Sequence, residues 1–240
     1  MDKMLKPLLI SSIMLGSLLA FGCSPDELPS SSNVEPKESK ANSADGPSSD
    51  TNSKSSMAGM GKMKFPDSKD MKFKDSVESN AEAPETINEL VFTTKNGGEI
   101  KIADFLGKKN VILVFTEGFN GMLCPFCKTQ TSRLVANYDK FQKRDCEVIV
   151  VYPGPEDHLD EFVEAALKTE KEQVDEVPFP IVLDKDFKAT NFFDIHSMHA
   201  HPSTYLIDKQ GKVKFAYVGN DMTADRPSVK ALLNRLDNLQ

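Results

Sequence analysis

Two stretches decide the fold of this chain: Val111-Ile112-Leu113-Val114-Phe115 and Cys124-Pro125-Phe126-Cys127. The first is a short apolar run, which predicts a buried strand. The residues after the second predict a helix, because apolar side chains recur on one helical face: Leu134, Val135, Tyr138 and Phe141. The two cysteines therefore lie between a strand and a helix, with Cys124 near the helix N-terminus.

This position gives the cysteine pair its predicted chemistry. Unpaired backbone N–H groups and the helix dipole favour a thiolate at a helix N-terminus, and Pro125 suits the first turn because its missing N–H would have no partner there. We therefore predict Cys124 as the nucleophile. Cys127, one turn later, would attack a mixed disulfide on Cys124 and release the product.

Two other roles for the pair are weaker. A zinc site needs a second pair of ligands at suitable spacing. There is no second C-x-x-C, and the clustered histidines His196, His199 and His201 lie too far along the chain to complete a compact zinc finger. A purely structural disulfide is disfavoured because so short a loop constrains the unfolded chain little. We favour a redox pair and assign neither a metal nor a cofactor.

Other classes of function lack a signal. The net charge is −7, and the absence of a basic patch gives no reason to expect nucleic acid as a partner. The sequence also lacks a phosphate-binding loop, a Rossmann fingerprint and a serine nucleophile elbow.

The first 22 residues predict an export signal. Lys3 and Lys6 precede a mostly apolar segment, residues 8–21, which is too short for a comfortable membrane span. The segment ends in Leu19-Ala20-Phe21-Gly22-Cys23 and resembles a bacterial lipoprotein signal, in which Cys23 would carry the lipid. A plain secretory signal or an uncleaved anchor are the alternatives. Each exports the domain to the cell envelope, and lipidation would anchor it on the periplasmic or cell-surface side.

Residues 23–85 predict a disordered tether. Polar residues and proline dominate, so the segment cannot bury enough apolar surface to offset its ordering entropy. Methionines recur within it at Met57, Met60, Met63 and Met71. Thioethers in an exported chain can hold Cu(I), but nearby histidine or cysteine is lacking, so we favour a simple tether.

The predicted folded domain covers residues 86–240, a usual size for one core. Strand-like runs follow one another at 90–94, 99–102, 111–115, 146–152, 179–183, 203–207 and 213–218. Asn96-Gly97-Gly98 and Asp208-Lys209-Gln210-Gly211 predict hairpin turns. Helical spacing recurs after the C-x-x-C, at 159–167 and at 229–239, with a short helix at 187–193. This order predicts an α/β fold with a central sheet covered on both faces.

The domain resembles the thioredoxin superfamily, and within it the redoxin and peroxiredoxin-like (AhpC/TSA) branch. The resemblance rests on the strand before Cys124-Pro125-Phe126-Cys127, on His201-Pro202-Ser203-Thr204-Tyr205-Leu206-Ile207-Asp208, on Gly211 and Gly219, and on Asp225-Arg226-Pro227-Ser228-Val229. It implies a thioredoxin-like fold with a central mixed sheet.

The resemblance also implies roles for residues around the cysteines. Pro202 matches the superfamily's cis-proline, which lies against the C-x-x-C and whose backbone neighbour pairs with a substrate segment. His201 should then lie near Cys124, where an imidazolium would stabilise a thiolate; a surface loop position is the alternative. Pro125 and Phe126 resemble the glutaredoxin pair and help set the redox potential.

The departures from the family pattern are informative. Leu123 stands where thioredoxin has tryptophan, and Val114 replaces its buried acid. Glu117 is a candidate proton acceptor, although a solvated loop carboxylate is the favoured interpretation. Gly121 occupies the position of the peroxiredoxin threonine. The arginine that peroxiredoxins place beside the cysteine is expected where His201 stands, and Arg133 is not assigned to that role.

Three functions follow, in order of preference. The first is a membrane-tethered thiol–disulfide oxidoreductase acting on a protein partner. The second is an antioxidant thiol peroxidase in which Cys124 forms a sulfenic acid and Cys127 converts it to a disulfide. The third is a copper-binding protein using the two cysteines and one histidine. Cys146 is predicted to be buried without a catalytic role.

Overall fold

The computed structural model describes residues 64–84, 87–168 and 174–239. The predicted signal, Cys23 and most of the predicted tether lie outside the described residues, as do Met57, Met60 and Met63. Copper binding by those methionines therefore stays a hypothesis.

Seven strands form one mixed sheet in the order β2-β1-β5-β4-β3-β6-β7. They are β1 (Val91–Thr94), β2 (Glu99–Lys101), β3 (Asn110–Phe115), β4 (Cys146–Pro153), β5 (Ile181–Asp184), β6 (Ser203–Ile207) and β7 (Val213–Val218). Strands β3, β4 and β5 are parallel. The two predicted hairpins are confirmed as the antiparallel pairs β1–β2 and β6–β7.

The central strands are apolar because both of their faces are covered. Every residue of β3 and of β4 is buried, which is the pattern expected of parallel strands covered on both sides. Alternate side chains of β3 enter different cores: Ile112 and Val114 one, Val111 and Leu113 the other. The C-terminal end of β3 thus leads directly from the sheet's centre to the cysteine loop.

The helices cover both faces of the sheet, as the sequence predicts. They are α1 (Pro125–Ala136), α2 (Tyr138–Gln142), α3 (Leu159–Leu167), α4 (Lys188–Phe192) and α5 (Val229–Asp237), with short 3-10 turns at Ser68–Asp70, Ile102–Phe105 and Glu156–His158. Apolar side chains of α1, α2, α3 and α5 enter one core and those of α4 enter the other. The predicted mixed α/β architecture is confirmed.

The described N-terminal segment, residues 64–84, corrects the predicted start of the folded region at residue 86. Met71, Phe73 and Val77 are buried in the same core as the cysteine helix. The backbone N–H of Lys74 donates to the carbonyl of Arg226 at 2.8 Å. A few well-placed apolar side chains and backbone hydrogen bonds order this segment in spite of its polar composition.

Among residues 64–84, 87–168 and 174–239, no helix is both long and apolar enough to cross a bilayer.

Candidate active site

The cysteine pair lies at the N-terminus of α1, where the sequence predicts it. Cys124 is the N-cap residue, Pro125 opens the first turn, and the backbone N–H of Cys127 donates to Cys124 Sγ at 3.4 Å. Both cysteines are free and only 2% exposed. The two sulfur atoms lie within 4.8 Å of each other, so a short side-chain movement brings them to bonding distance.

A carboxylate is buried beside the two sulfur atoms. Glu117 follows β3, and its Oε1 accepts a hydrogen bond from the Cys124 thiol at 3.3 Å. The same oxygen accepts from the backbone N–H of Met222 at 2.9 Å. The backbone N–H of Glu117 donates to Cys127 Sγ at 3.4 Å. One residue therefore contacts both cysteines, one through its side chain and the other through its backbone.

A buried arginine completes the site. Arg226 lies between β7 and α5 and is 1% exposed. Its Nη2 is 2.8 Å from Glu117 Oε1, 3.3 Å from Cys127 Sγ and 3.6 Å from Cys124 Sγ. Its guanidinium also lies 5.7 Å from the centre of the Phe126 ring. One cation is thus shared between a carboxylate and both sulfur atoms in a site closed to water.

These contacts separate the pKa values of the two cysteines. The hydrogen bond with Cys127, then burial, and the charge of Glu117 raise the pKa of Cys124 far above that of an ordinary thiol. Burial alone would raise the pKa of Cys127, but the hydrogen bond from Cys124 and the charge of Arg226 outweigh burial and lower it. Of the two cysteines, Cys127 is therefore the one that ionises more readily.

This order of the two pKa values differs from the prediction that the helix N-terminus favours a Cys124 thiolate. The helix terminus does supply a donor to Cys124. However, the Glu117 carboxylate faces the Cys124 thiol, while Cys127 has the shorter contact with Arg226 and receives the Glu117 N–H. Short-range charges and hydrogen bonds in a dry site outweigh the helix dipole, whose contribution is roughly 1 kcal/mol.

Two assignments around the cysteines are corrected. Glu117 is buried and ion-paired instead of being a solvated loop carboxylate. The cation that contacts Cys124 is Arg226, whereas the prediction placed His201 there. His201 Nδ1 instead pairs with Asp221 at 2.8 Å, and its Nε2 lies 3.2 Å from the Ser197 hydroxyl.

The remaining predicted residues are placed as follows. Phe126 is buried and packs edge-on against Phe65 with ring centres 6.1 Å apart. Pro202 directly precedes β6, and its carbonyl accepts the Gly219 N–H at 2.8 Å; its cis bond and its contact with the cysteine pair stay predictions. Cys146 is fully buried in β4, and burial raises the pKa of its thiol.

The third sequence-based hypothesis required one histidine beside the cysteines. The ligand cluster that the structure forms around them consists of Glu117, Cys124 and Cys127. The Arg226 guanidinium lies 3.3 Å from Cys127 Sγ in this cluster and would repel a bound metal ion. The arrangement therefore suits thiol chemistry better than copper delivery.

Arg226 is the functional residue that sequence reasoning missed. It lies about a hundred residues from the cysteines in the chain, and no periodic pattern surrounds it. The sequence feature that could have identified Arg226 is its place in Asp225-Arg226-Pro227-Ser228-Val229, one of the segments that carry the family resemblance. Its side-chain position depends on the loop after β7, which the sequence does not specify.

Comparisons with known proteins agree with this geometry. The AhpC/TSA family model matches residues 80–216, more than half of the chain. The thiol-disulfide oxidoreductase ResA of Geobacillus thermodenitrificans is 30% identical over 135 residues, which cover 56% of this chain and 68% of the relative. The thiol-disulfide oxidoreductase ResA of Bacillus cereus is 30% identical over 146 residues, which cover 61% of this chain and 73% of the relative. A solved structure of a peroxiredoxin 6 mutant from Arenicola marina aligns with this chain at a TM-score of 0.55 and 17% identity. The alignment covers 67% of this chain and 74% of the peroxiredoxin chain, so the two share the fold.

Proposed function

Because the chain belongs to the AhpC/TSA family, we propose that it is a thiol–disulfide oxidoreductase in which Cys124 and Cys127 form the redox pair. The observation that carries this proposal is the contact of one buried cation, Arg226, with both sulfur atoms. A thiolate in a water-excluded site needs such a counter-charge. The relatives named thiol-disulfide oxidoreductase support the same reaction class.

The reaction starts from the reduced pair, in which Cys127 has the lower pKa of the two cysteines. The Cys124 proton moves to Cys127 or to Glu117, both hydrogen-bonded to it in the resting pair. The Cys124 thiolate then attacks one sulfur of the substrate disulfide and releases the first substrate thiolate. Cys127, deprotonated again, attacks Cys124 Sγ, forms the internal disulfide and releases the second substrate thiolate. Two electrons pass to the substrate, whose two thiolates take up the proton that Cys124 gives up and a second proton, which comes from Cys127 or, where Cys127 is already ionised, from solvent.

Glu117 acts in this scheme as a proton relay. Its carboxylate is held by Arg226 and by the Met222 N–H, so it keeps its orientation while the proton moves. In this scheme the nucleophile is Cys124, because it lies at the N-cap, before the first turn of α1, whereas Cys127 lies within that turn.

A thiol peroxidase is the second candidate, and Arg226 favours it. A cation beside the reacting sulfur stabilises the charge that develops on the peroxide oxygens. Cys124 would attack the peroxide, become a sulfenic acid and release the alcohol or water. Cys127 would then attack that sulfur, forming the disulfide and releasing water. Gly121 offers no side-chain donor at the position where a threonine is expected, so we rank this activity second.

For location, we propose an exported, membrane-associated domain with a lipid on Cys23. The sequence of residues 1–23 supports the proposal. The substrate would then be a disulfide-bonded protein, or a peroxide, on the outer side of a membrane.

The deciding experiment compares two oxidants on the reduced full chain. Thiol loss is followed by quenched alkylation and mass spectrometry, because the chain has no tryptophan. We expect fast reaction with a protein disulfide and a reaction with hydrogen peroxide at the rate of an ordinary thiolate. A peroxide rate orders of magnitude higher that Cys124→Ser abolishes would make peroxidase the function.

Variants test the assignment of the two cysteines. Cys127→Ser should accumulate a mixed disulfide on Cys124, and Cys146→Ser should behave like the parent. A mixed disulfide that forms equally well on Cys127 in Cys124→Ser would overturn the assignment of Cys124 as nucleophile.

A further inference from the structure

A second cluster of ligand-type side chains lies outside the redox pair. It consists of His199, His201 and Asp221, whose ligand atoms lie within 4.8 Å of one another. His201 Nδ1 is 2.8 Å from Asp221 Oδ1, and His199 Nε2 is 3.0 Å from Asp221 Oδ2. Two imidazoles from the loop before β6 therefore face one carboxylate from the loop after β7.

His201 Nδ1 is hydrogen-bonded to Asp221, but His199 Nε2 is not satisfied by the same carboxylate. His199 Nε2 is inaccessible to solvent and, within residues 64–84, 87–168 and 174–239, has no hydrogen-bond partner of acceptable geometry, although a carboxylate oxygen is 3.0 Å away. A buried ring nitrogen without a hydrogen bond destabilises the fold, because its desolvation is not compensated. A cation bound in place of the proton shared by His201 and Asp221 would also give His199 Nε2 a partner.

The opposite ring nitrogens are already held by polar neighbours. His199 Nδ1 lies 3.2 Å from the Asn120 amide, and His201 Nε2 lies 3.2 Å from the Ser197 hydroxyl. Metal-bound histidines almost always use their second nitrogen in this way, which fixes the tautomer and the ring orientation. A half-turn of the Asn120 amide would present its oxygen to a protonated Nδ1, leaving Nε2 free to bind a metal.

We propose that His199 Nε2, His201 Nδ1 and the Asp221 carboxylate bind one divalent transition-metal ion of the zinc class. Imidazole and carboxylate are ligands that this class accepts, and three protein ligands leave the remaining positions to water. Tetrahedral zinc with bonds of about 2.0 Å separates its ligand atoms by roughly 3.3 Å. The nitrogen–oxygen separations of 2.8 and 3.0 Å approach this value, and the two imidazole nitrogens lie within 4.8 Å of each other, so side-chain rotations complete the site.

The proposed site adjoins the redox centre through the loop after β7. Asp221 is followed by Met222, whose N–H donates to Glu117 Oε1, and Arg226 lies at the end of the same loop. Asn120, on the other side, belongs to the loop between Glu117 and Cys124. The proposal does not depend on the redox function, because none of the three ligands belongs to the cysteine pair.

The test is a calorimetric titration of the full chain with zinc chloride. Serine replaces Cys23, Cys124 and Cys127, so that these thiols cannot bind the metal. We expect one zinc ion per chain, loss of this binding in His199→Gln with His201→Gln, and a weakening of about 10–100-fold in Asn120→Ala. The matched control is His196→Gln, because His196 pairs with Asn191 outside the cluster and its replacement should leave the affinity unchanged.

X-ray absorption at the zinc edge gives a result that does not depend on the variants folding. It should show nitrogen and oxygen ligands with the signature of two imidazoles. Absence of zinc binding by the serine variant, unchanged affinity in the double glutamine variant, or a single imidazole in the spectrum would overturn the proposal and leave the cluster as an ion pair.

Discussion

At the scale of single residues, the Arg226–Glu117 pair decides the chemistry of the site. Both side chains are almost completely buried. Breaking such a pair strands a charge in a medium of low dielectric, whereas removing both partners is far less costly. The same guanidinium lowers the pKa of Cys127. Stability and thiol reactivity therefore depend on one side chain.

We predict that Arg226→Gln lowers the free energy of unfolding by about 3–5 kcal/mol and raises the pKa of Cys127. The reduction potential should become more negative, because loss of the cation destabilises the reduced form of the pair. The expected change is about 30 mV for each 1.4 kcal/mol by which the reduced form is destabilised. Urea unfolding, thiolate absorbance against pH and redox equilibration measure the three effects.

The double variant Arg226→Gln with Glu117→Gln is the control. It should recover much of the stability without restoring the pKa of Cys127. Equal stability of the single and double variants would contradict the buried-pair explanation.

The two shifted pKa values also set a pH dependence. Cys127 has a lowered pKa in the fold, so its contribution to stability is lost as the pH falls through that folded-state value. Cys124 has a raised pKa, so its contribution is lost as the pH rises above about 8.5, where the unfolded thiol ionises. The free energy of unfolding of the reduced protein, compared with that of a variant with serine at both positions, should therefore be largest at about pH 8.5. Urea unfolding at several pH values measures this difference. A difference that does not change with pH would contradict the split ionisation.

Sequence reasoning identified the cysteines of this site but not their electrostatics. The spacing of Cys124 and Cys127 and their place before a helix are local features, so they could be predicted. The positions of Glu117 and Arg226 could not, because each depends on how a loop packs against a distant element. His201 was chosen from its position in the family pattern, and the structure places it with Asp221 instead.

At the scale of elements, the segment 64–84 is the main difference from the predicted fold. Strands and helices with strong periodicity were predicted close to their observed bounds, because burial on a regular element leaves a repeating pattern. Residues 64–84 form only a 3-10 turn and one isolated bridge, from Lys74 to Pro227, so no period marks them. Their order comes from scattered contacts, such as Arg133 over the Phe73 ring at 4.8 Å.

We predict that Met71→Ala destabilises the protein by about 2–5 kcal/mol, because this side chain is buried in the core that contains α1. Met198→Ala is the matched control: Met198 is 90% exposed, and its replacement should change stability by no more than about 0.5 kcal/mol. Urea unfolding of the full chain measures both. Equal effects of the two substitutions would show that residues 64–84 do not pack on the domain in solution.

At the scale of the whole molecule, the chain combines a redox domain with a sequence that predicts export. Membership of the AhpC/TSA family confirms the resemblance stated from the sequence, and the domain's fold agrees with it. The described region starts at residue 64, which lies 41 residues after Cys23. That length spans at most about 140 Å when fully extended. If Cys23 carries a lipid, residue 64 can lie no farther than this distance from the membrane surface. The active site, and the protein substrates that it meets, are then confined to the region near that surface.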